Sequence, residues 1–212
     1  VQHDNILAMV GTIGTAVNLA TFPTLFDKGV MNLFPLTAAR EMYEPLHKLK
    51  FSFAAPYYTQ IRMGVKWLAK ERGAKQFCVI YQDDDFGTEV LKGAEDGLKD
   101  MNMSFAEKTS FKRGATDFSA QVSKMKASDC DTVVLGTIIR ETIGTIGTAR
   151  KMGWNPHFIG SSAAYTDLIH KLGGKAMDGL YAMHQVAVPY ADDSSKNVRD
   201  WFAAYKGKVN EE

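Results

Sequence analysis

Short runs of β-branched and aromatic residues alternate in this chain with longer stretches whose apolar side chains recur every three or four positions. That alternation constrains the fold more than any other feature. Each run is followed by a segment long enough to cross back over a sheet, so successive strands should lie parallel, with helices on both faces. The spacing predicts strands over residues 6–10, 30–34, 51–54, 77–81, 105–109, 132–135, 158–160 and 179–188. Helices are expected over 15–27, 57–72, 87–101, 118–127, 141–152, 166–172 and 197–205. Gly29 and Gly73 stand where two helices should end, and glycine accepts the left-handed closing conformation. The fold class is α/β, with mostly parallel, doubly wound sheets. Ligands in such sheets bind beyond the carboxyl ends of the strands.

Composition narrows the partner. The 212 residues are 45% hydrophobic, and 25 basic side chains face 24 acidic ones for a net charge of +1. This excludes a disordered chain or a rod. It also leaves no basic block with which to grip nucleic acid or an acidic lipid surface. The most apolar stretch, residues 6–36, is broken by Gly11, Gly14, Asn18, Pro23, Asp27 and Lys28, so nothing spans a bilayer. Two cysteines, Cys78 and Cys130, are too few for a disulfide framework or a cysteine zinc site. Cys78 sits inside the run Phe77-Cys78-Val79-Ile80-Tyr81 and reads as a small buried hydrophobe. The absence of a leader before Val1 carries no weight, because a chain starting with valine can have been processed.

Residues at the strand-to-helix turns can carry chemistry. Gly11-Thr12-Ile13-Gly14-Thr15 joins a strand to a helix and so presents free N–H groups and the positive end of the helix dipole, a geometry suited to a carboxylate. It lacks the lysine of a P-loop and the third glycine of a dinucleotide fingerprint. An ordinary helix cap by Thr15 is the alternative. In Gln82-Asp83-Asp84-Asp85-Phe86-Gly87 the acids lack calcium-loop spacing and read as helix capping, whereas Phe86 faces the space of a ligand. Tyr57-Tyr58 and Ser161-Ser162 add stacking area and small neutral hydrogen-bonding groups at strand ends. Nothing points to catalysis or to a cofactor or metal. There is no nucleophile elbow, and His3, His47, His157, His170 and His184 are scattered. Arg140 and Glu141 open a Thr/Gly-rich helix that reads as a packing face.

Taken in order, five segments resemble the type I periplasmic solute-binding proteins of ABC importers, the group of the leucine/isoleucine/valine-binding protein. They are Ala8-Met9-Val10-Gly11-Thr12-Ile13-Gly14-Thr15-Ala16, Tyr81-Gln82-Asp83-Asp84-Asp85-Phe86-Gly87, Gly114-Ala115-Thr116-Asp117-Phe118-Ser119-Ala120-Gln121, Ala149-Arg150-Lys151-Met152-Gly153-Trp154 and Ala176-Met177-Asp178-Gly179-Leu180-Tyr181. The resemblance implies two lobes that close on a small ligand, a permease partner and a periplasmic location. It divides the chain into first-lobe residues 1–55, a second lobe over 56–185 and a return segment over 186–212. The hinge then includes Ala54, Ala55 and residues 185–188. Because that family has more first-lobe structure on both sides, the resemblance also implies that this chain is incomplete at both ends.

Carried over by position, the carboxylate site of the first lobe falls on Thr15, Ala16, Leu36, Thr37 and Ala38. The opposite wall falls on Tyr57, Tyr58, Phe86, Ile138 and Ser162. Where amino-acid binders have an acid for the ammonium group this chain has Ser162, and Ala38 replaces a hydroxyl. A buried ammonium without a carboxylate is costly. The expected ligand is therefore an aromatic or other organic acid, with a branched-chain amino acid as the alternative. A ligand-sensing domain of a signalling receptor or regulator on the same fold is a further alternative. An enzyme is disfavoured by the missing acid–base constellation.

Overall fold

The computed structural model describes residues 3–186 and 189–209. Two parallel sheets organise them. The smaller has the order β1-β2-β3, from Ala8–Val10, Met31–Leu33 and Lys50–Phe51. The larger has five strands in the order β5-β4-β6-β7-β8, from β4 (Phe77–Gln82), β5 (Phe105–Phe111), β6 (Thr132–Gly136), β7 (His157–Gly160) and β8 (Leu180–Ala182). Every pairing in both is parallel, as the alternating pattern predicts. Likewise α1 (Thr15–Asp27) and α2 (Tyr57–Arg72) occupy the expected residues. The remaining helices are α3 (Asp85–Lys99), α4 (Ser119–Ala127), α5 (Ile139–Lys151), α6 (Leu168–Gly173) and α7 (Lys196–Lys206).

The larger sheet is buried on both faces because its central strands are apolar throughout rather than alternating. Phe77, Val79, Val134 and Ile159 point into one core with Ile61, Val65 and Leu68 of α2 and Val90, Ala94 and Leu98 of α3. Ile80, Val133, Leu135 and Phe158 point the other way, against Val122 and Met125 of α4 and Ile146 of α5. Helix α3 approaches both α2 and the sheet closely. A Cβ on Gly87 would lie 1.9 Å from the Gln82 carbonyl oxygen, and one on Gly93 2.4 Å from that of Tyr58. The chain beyond the smaller sheet joins this packing too, since Ala38 and Ala39 are buried in the α2–α3 core.

Several boundaries differ from the sequence reading. The strand predicted over 51–54 is Lys50–Phe51, because Ala54 and Ala55 run on toward Pro56 without a strand partner. The first strand starts at Ala8 rather than residue 6. The strand predicted over 179–188 ends at Ala182, where pairing with β7 stops at Gly160; residues 187 and 188 lie outside the described residues. Helix α3 begins two residues early because Asp84, not a later residue, is its cap and accepts from the Gly87 N–H at 3.1 Å. Cys78 is buried as expected, but it is not a free thiol: it forms a disulfide with Cys130, 52 residues on, in the turn before β6. The side-by-side placement of β4 and β6 creates that proximity, which the sequence order hides.

Two measurements check these forces. Closing a 52-residue loop restricts the unfolded chain by about 4 kcal/mol on an entropy model, with engineered examples often lower. Accordingly, Cys130→Ala should lower urea stability by about 2–4 kcal/mol, and reductant should produce that loss in the native sequence but none in the variant. On the exposed side of α2 and α3, Arg62 and Lys66 both donate to Asp100 and hold its carboxyl down to about 2. A depressed acid stabilises the fold above its unfolded value of roughly 3.9, and that contribution is lost as pH falls through the folded value. The affected window is therefore about pH 4 down to 2. An NMR titration should find the Asp100 midpoint near the lower limit, and substituting both Arg62 and Lys66 by Ala should move it up.

Candidate functional site

The strand order of the larger sheet reverses beside β4: the chain runs from β4 outward to β5, then returns across β4 to β6. A crevice opens at such a switch point beyond the carboxyl ends of the strands. Phe86 lies beyond the end of β4 and Ile138 beyond the end of β6. Both belong to one apolar cluster with Tyr57 and Ala38. Tyr57 and Phe86 meet edge to face with ring centroids 5.1 Å apart, an arrangement that fixes both rings. The Tyr57 N–H donates to the Ala38 carbonyl at 2.8 Å, which binds the start of α2 to the segment following β2.

From Ala38 the contacts continue to the smaller sheet. Thr37 and Thr15 are both buried, and their Oγ1 atoms lie 2.7 Å apart. One hydroxyl donates to the other, so the donor that remains is polarised and can serve an anion. The N-cap of α1 is Gly14, with φ 98° and no side-chain cap, rather than Thr15. Thr15 is thereby free to pair across 22 residues with Thr37. Asn18 Nδ2 donates to the carbonyls of Thr12 and Gly14, at 2.9 and 2.7 Å, and so holds the turn in place. The first-turn amides of a helix have no internal acceptor, so those at the start of α1 remain available beside the Thr15–Thr37 pair.

The structure brings together Thr15, Thr37, Ala38, Tyr57, Phe86 and Ile138. Ala16 and Leu36 sit beside them but are exposed. Tyr58 points elsewhere: its Oη donates to Asp96 at 2.6 Å, and its ring lies 3.8 Å beneath the Arg40 guanidinium. The hydrogen bond to Asp96 raises the Tyr58 hydroxyl above the usual phenol range. Ser162 opens a 3-10 turn after β7, and its N–H donates to Gln60 Oε1 at 2.8 Å.

Sequence reasoning missed Gln60, Arg40 and Glu89. Gln60 is a buried polar residue within the apolar stripe of α2, and that break in pattern was the available signal. Arg40 grips Glu89 in two parallel bonds of 2.8 and 3.0 Å, and Glu89 is only 2% exposed. That hydrogen bond raises the already high Arg40 value, while burial next to Glu89 raises the Glu41 carboxyl. A groove of about 240 Å³ between α3 and β5 lies at the opposite, amino edge of β5, near Ser104 and Phe105, and has no part in the crevice. Among the described residues no group of three or more His, Cys, Asp or Glu could hold a metal, and no helix is long and apolar enough to cross a membrane.

Comparison with known proteins decides the family. The model of the family described as periplasmic binding protein matches residues 1–212. The chain belongs to that family. The chain is 19% identical over 180 residues to the leucine-specific-binding protein of Salmonella typhimurium, across 85% of this chain and 49% of the relative. The chain thus spans about half the length of that curated relative. Its fold superposes on the leucine binding protein LivK of Thermotoga maritima with a TM-score of 0.87 at 20% identity, covering 99% of this chain and 59% of that one. It also superposes on a fatty acid ABC transporter substrate-binding protein from Thermomonospora curvata, with a TM-score of 0.77 at 17% identity and 94% and 51% coverage. Fold is shared across these proteins while the ligands in their names differ, so residues rather than fold must carry specificity.

The Arg40–Glu89 pair offers a direct check of the junction beside the crevice. Arg40→Ala leaves Glu89 buried without a cation, so urea unfolding should report a loss of about 2 kcal/mol or more, with Glu89→Gln in the same background recovering part of it.

Proposed function

We propose that this chain is part of the solute-binding component of an ABC importer, which encloses a small organic acid between two lobes and delivers it to a membrane permease. The reading keeps residues 1–55 in a first lobe, 56–185 in a second and 186–212 in the return segment. One observation carries the choice of ligand. A buried hydroxyl pair at a helix start, Thr15 and Thr37, adjoins the apolar Tyr57–Phe86 pair, and Ser162 stands where the resemblance to amino-acid binders puts the acid that receives the ammonium group. The first group suits a carboxylate, the second an apolar or aromatic body, and neutral Ser162 gives an ammonium no counter-charge. Ala16, Leu36, Ala38, Tyr58 and Ile138 complete the proposed lining, with Tyr58 acting through the wall behind it.

Closure follows from contacts with both lobes: a ligand touching each favours the closed population over the open one. The buried Cys78–Cys130 disulfide supports an extracytoplasmic location, since such bonds persist in oxidising compartments. Binding of a branched-chain amino acid is the second reading, and the similarity to leucine-binding proteins favours it.

Calorimetric titration of the full-length protein with benzoate and with leucine separates the two. On the proposed reading benzoate binds and leucine does not, and Thr37→Val weakens benzoate by about 10- to 100-fold, the loss of a hydrogen bond to a charged group. Tight leucine binding with no response to benzoate gives the site to the amino acid.

A further inference from the structure

Gln60 is only 5% exposed, and its side-chain amide makes three hydrogen bonds, each to a different segment. Its Nε2 donates to the Ala55 carbonyl at 2.7 Å and to Gln185 Oε1 at 3.3 Å. Its Oε1 accepts from the Ser162 N–H at 2.8 Å. The orientation of the amide is fixed by its partners, because a backbone N–H requires the oxygen and a backbone carbonyl requires the nitrogen. Ala55 lies on the first passage between the two sheets, and Gln185 follows β8 toward the return segment. Ser162 lies on neither; it begins the turn at the carboxyl end of β7. One buried side chain therefore joins three segments, the farthest of them 125 residues from it in sequence.

We propose that Gln60 is the positioning residue that couples the interlobe passages to the ligand-facing wall. The inference rests on the two-lobed solute-binding reading. A rotation that changes the chain direction at Ala55 or Gln185 must displace the Gln60 amide or break its bonds. A displaced amide carries the Ser162 backbone with it, and a broken one leaves buried polar groups unpaired. Hinge angle and wall geometry thus change together. A bulky apolar residue of similar size would fill the same space but leave Ala55, Gln185 and Ser162 without this common partner.

The test uses the full-length protein with its disulfide intact and spin labels at the exposed positions 28 and 124, one beside each sheet. Interlobe distance distributions are recorded without any ligand for the native sequence, Gln60→Glu and Gln60→Leu, alongside amide exchange at Ser162. Gln60→Leu should broaden the distribution and speed Ser162 exchange by about tenfold or more. Gln60→Glu keeps the acceptor for Ser162 but loses the donor to Ala55, so it should broaden the distribution while leaving Ser162 protected. A space-filling role would produce neither that split nor any broadening, and an unchanged distribution in Gln60→Leu overturns the proposal. If Gln60→Leu fails to fold, Gln60→Glu alone decides on the same criterion. Titration with benzoate and leucine is then run on the same samples. A broadened distribution with neither probe bound defeats the choice of ligand and leaves the coupling standing.

Discussion

Burial of β4 and β6 on both faces is the constraint on which the rest of the molecule depends. A strand covered on two sides can be apolar at every position, and a parallel neighbour can be reached only through a crossover. Those two facts put every carboxyl end of the larger sheet on one edge. They also place the reversal of strand order between β4 and β6, so Phe86 and Ile138 meet there although 52 residues separate them in sequence. Close approach of α3, made possible by Gly87 and Gly93, brings Phe86 against Tyr57.

Much of this was legible in the chain itself. The parallel α/β class followed from periodicity, and α1 and α2 matched residue for residue because glycines and apolar stripes mark their ends and faces. Strand ends were less legible, since pairing with a neighbour rather than side-chain character decides where β3 and β8 stop. Long-range polar pairs were least legible. Thr15 with Thr37, Arg40 with Glu89 and Cys78 with Cys130 each join residues that no local pattern relates. Tyr57 and Tyr58 illustrate the limit well: adjacent in sequence, they leave α2 in directions that only the placement of α3 can assign.

The electrostatics divide along a similar line. Exposed ion pairs around Asp100 tune the outer face of α2 and α3 and respond to acid. The Arg40–Glu89 pair is different, because Glu89 is withdrawn from water and its charge is balanced by the guanidinium, with the Arg40 backbone N–H as a further donor. That pair anchors the segment after β2 to α3, and Ala38 and Ala39 extend the anchorage with apolar burial. The crevice is thus bordered by a seam that is charged at one end and apolar at the other.

The disulfide has a mechanical consequence. Its loop contains most of β4 and all of α3, β5 and α4, but neither Ala55 nor Gln185. Tension applied to the two ends of the chain travels through the bond and bypasses the loop between its cysteines, whose sequence separation is 52. At a reach of at most about 3.6 Å per residue, roughly 190 Å of contour length stays hidden from a pulling force until the bond is reduced. Under oxidising conditions β5, α3, α4 and most of β4 are therefore shielded from forces that can still stretch the passages on either side of them, while β6, β7 and β8 stay in the path of the load.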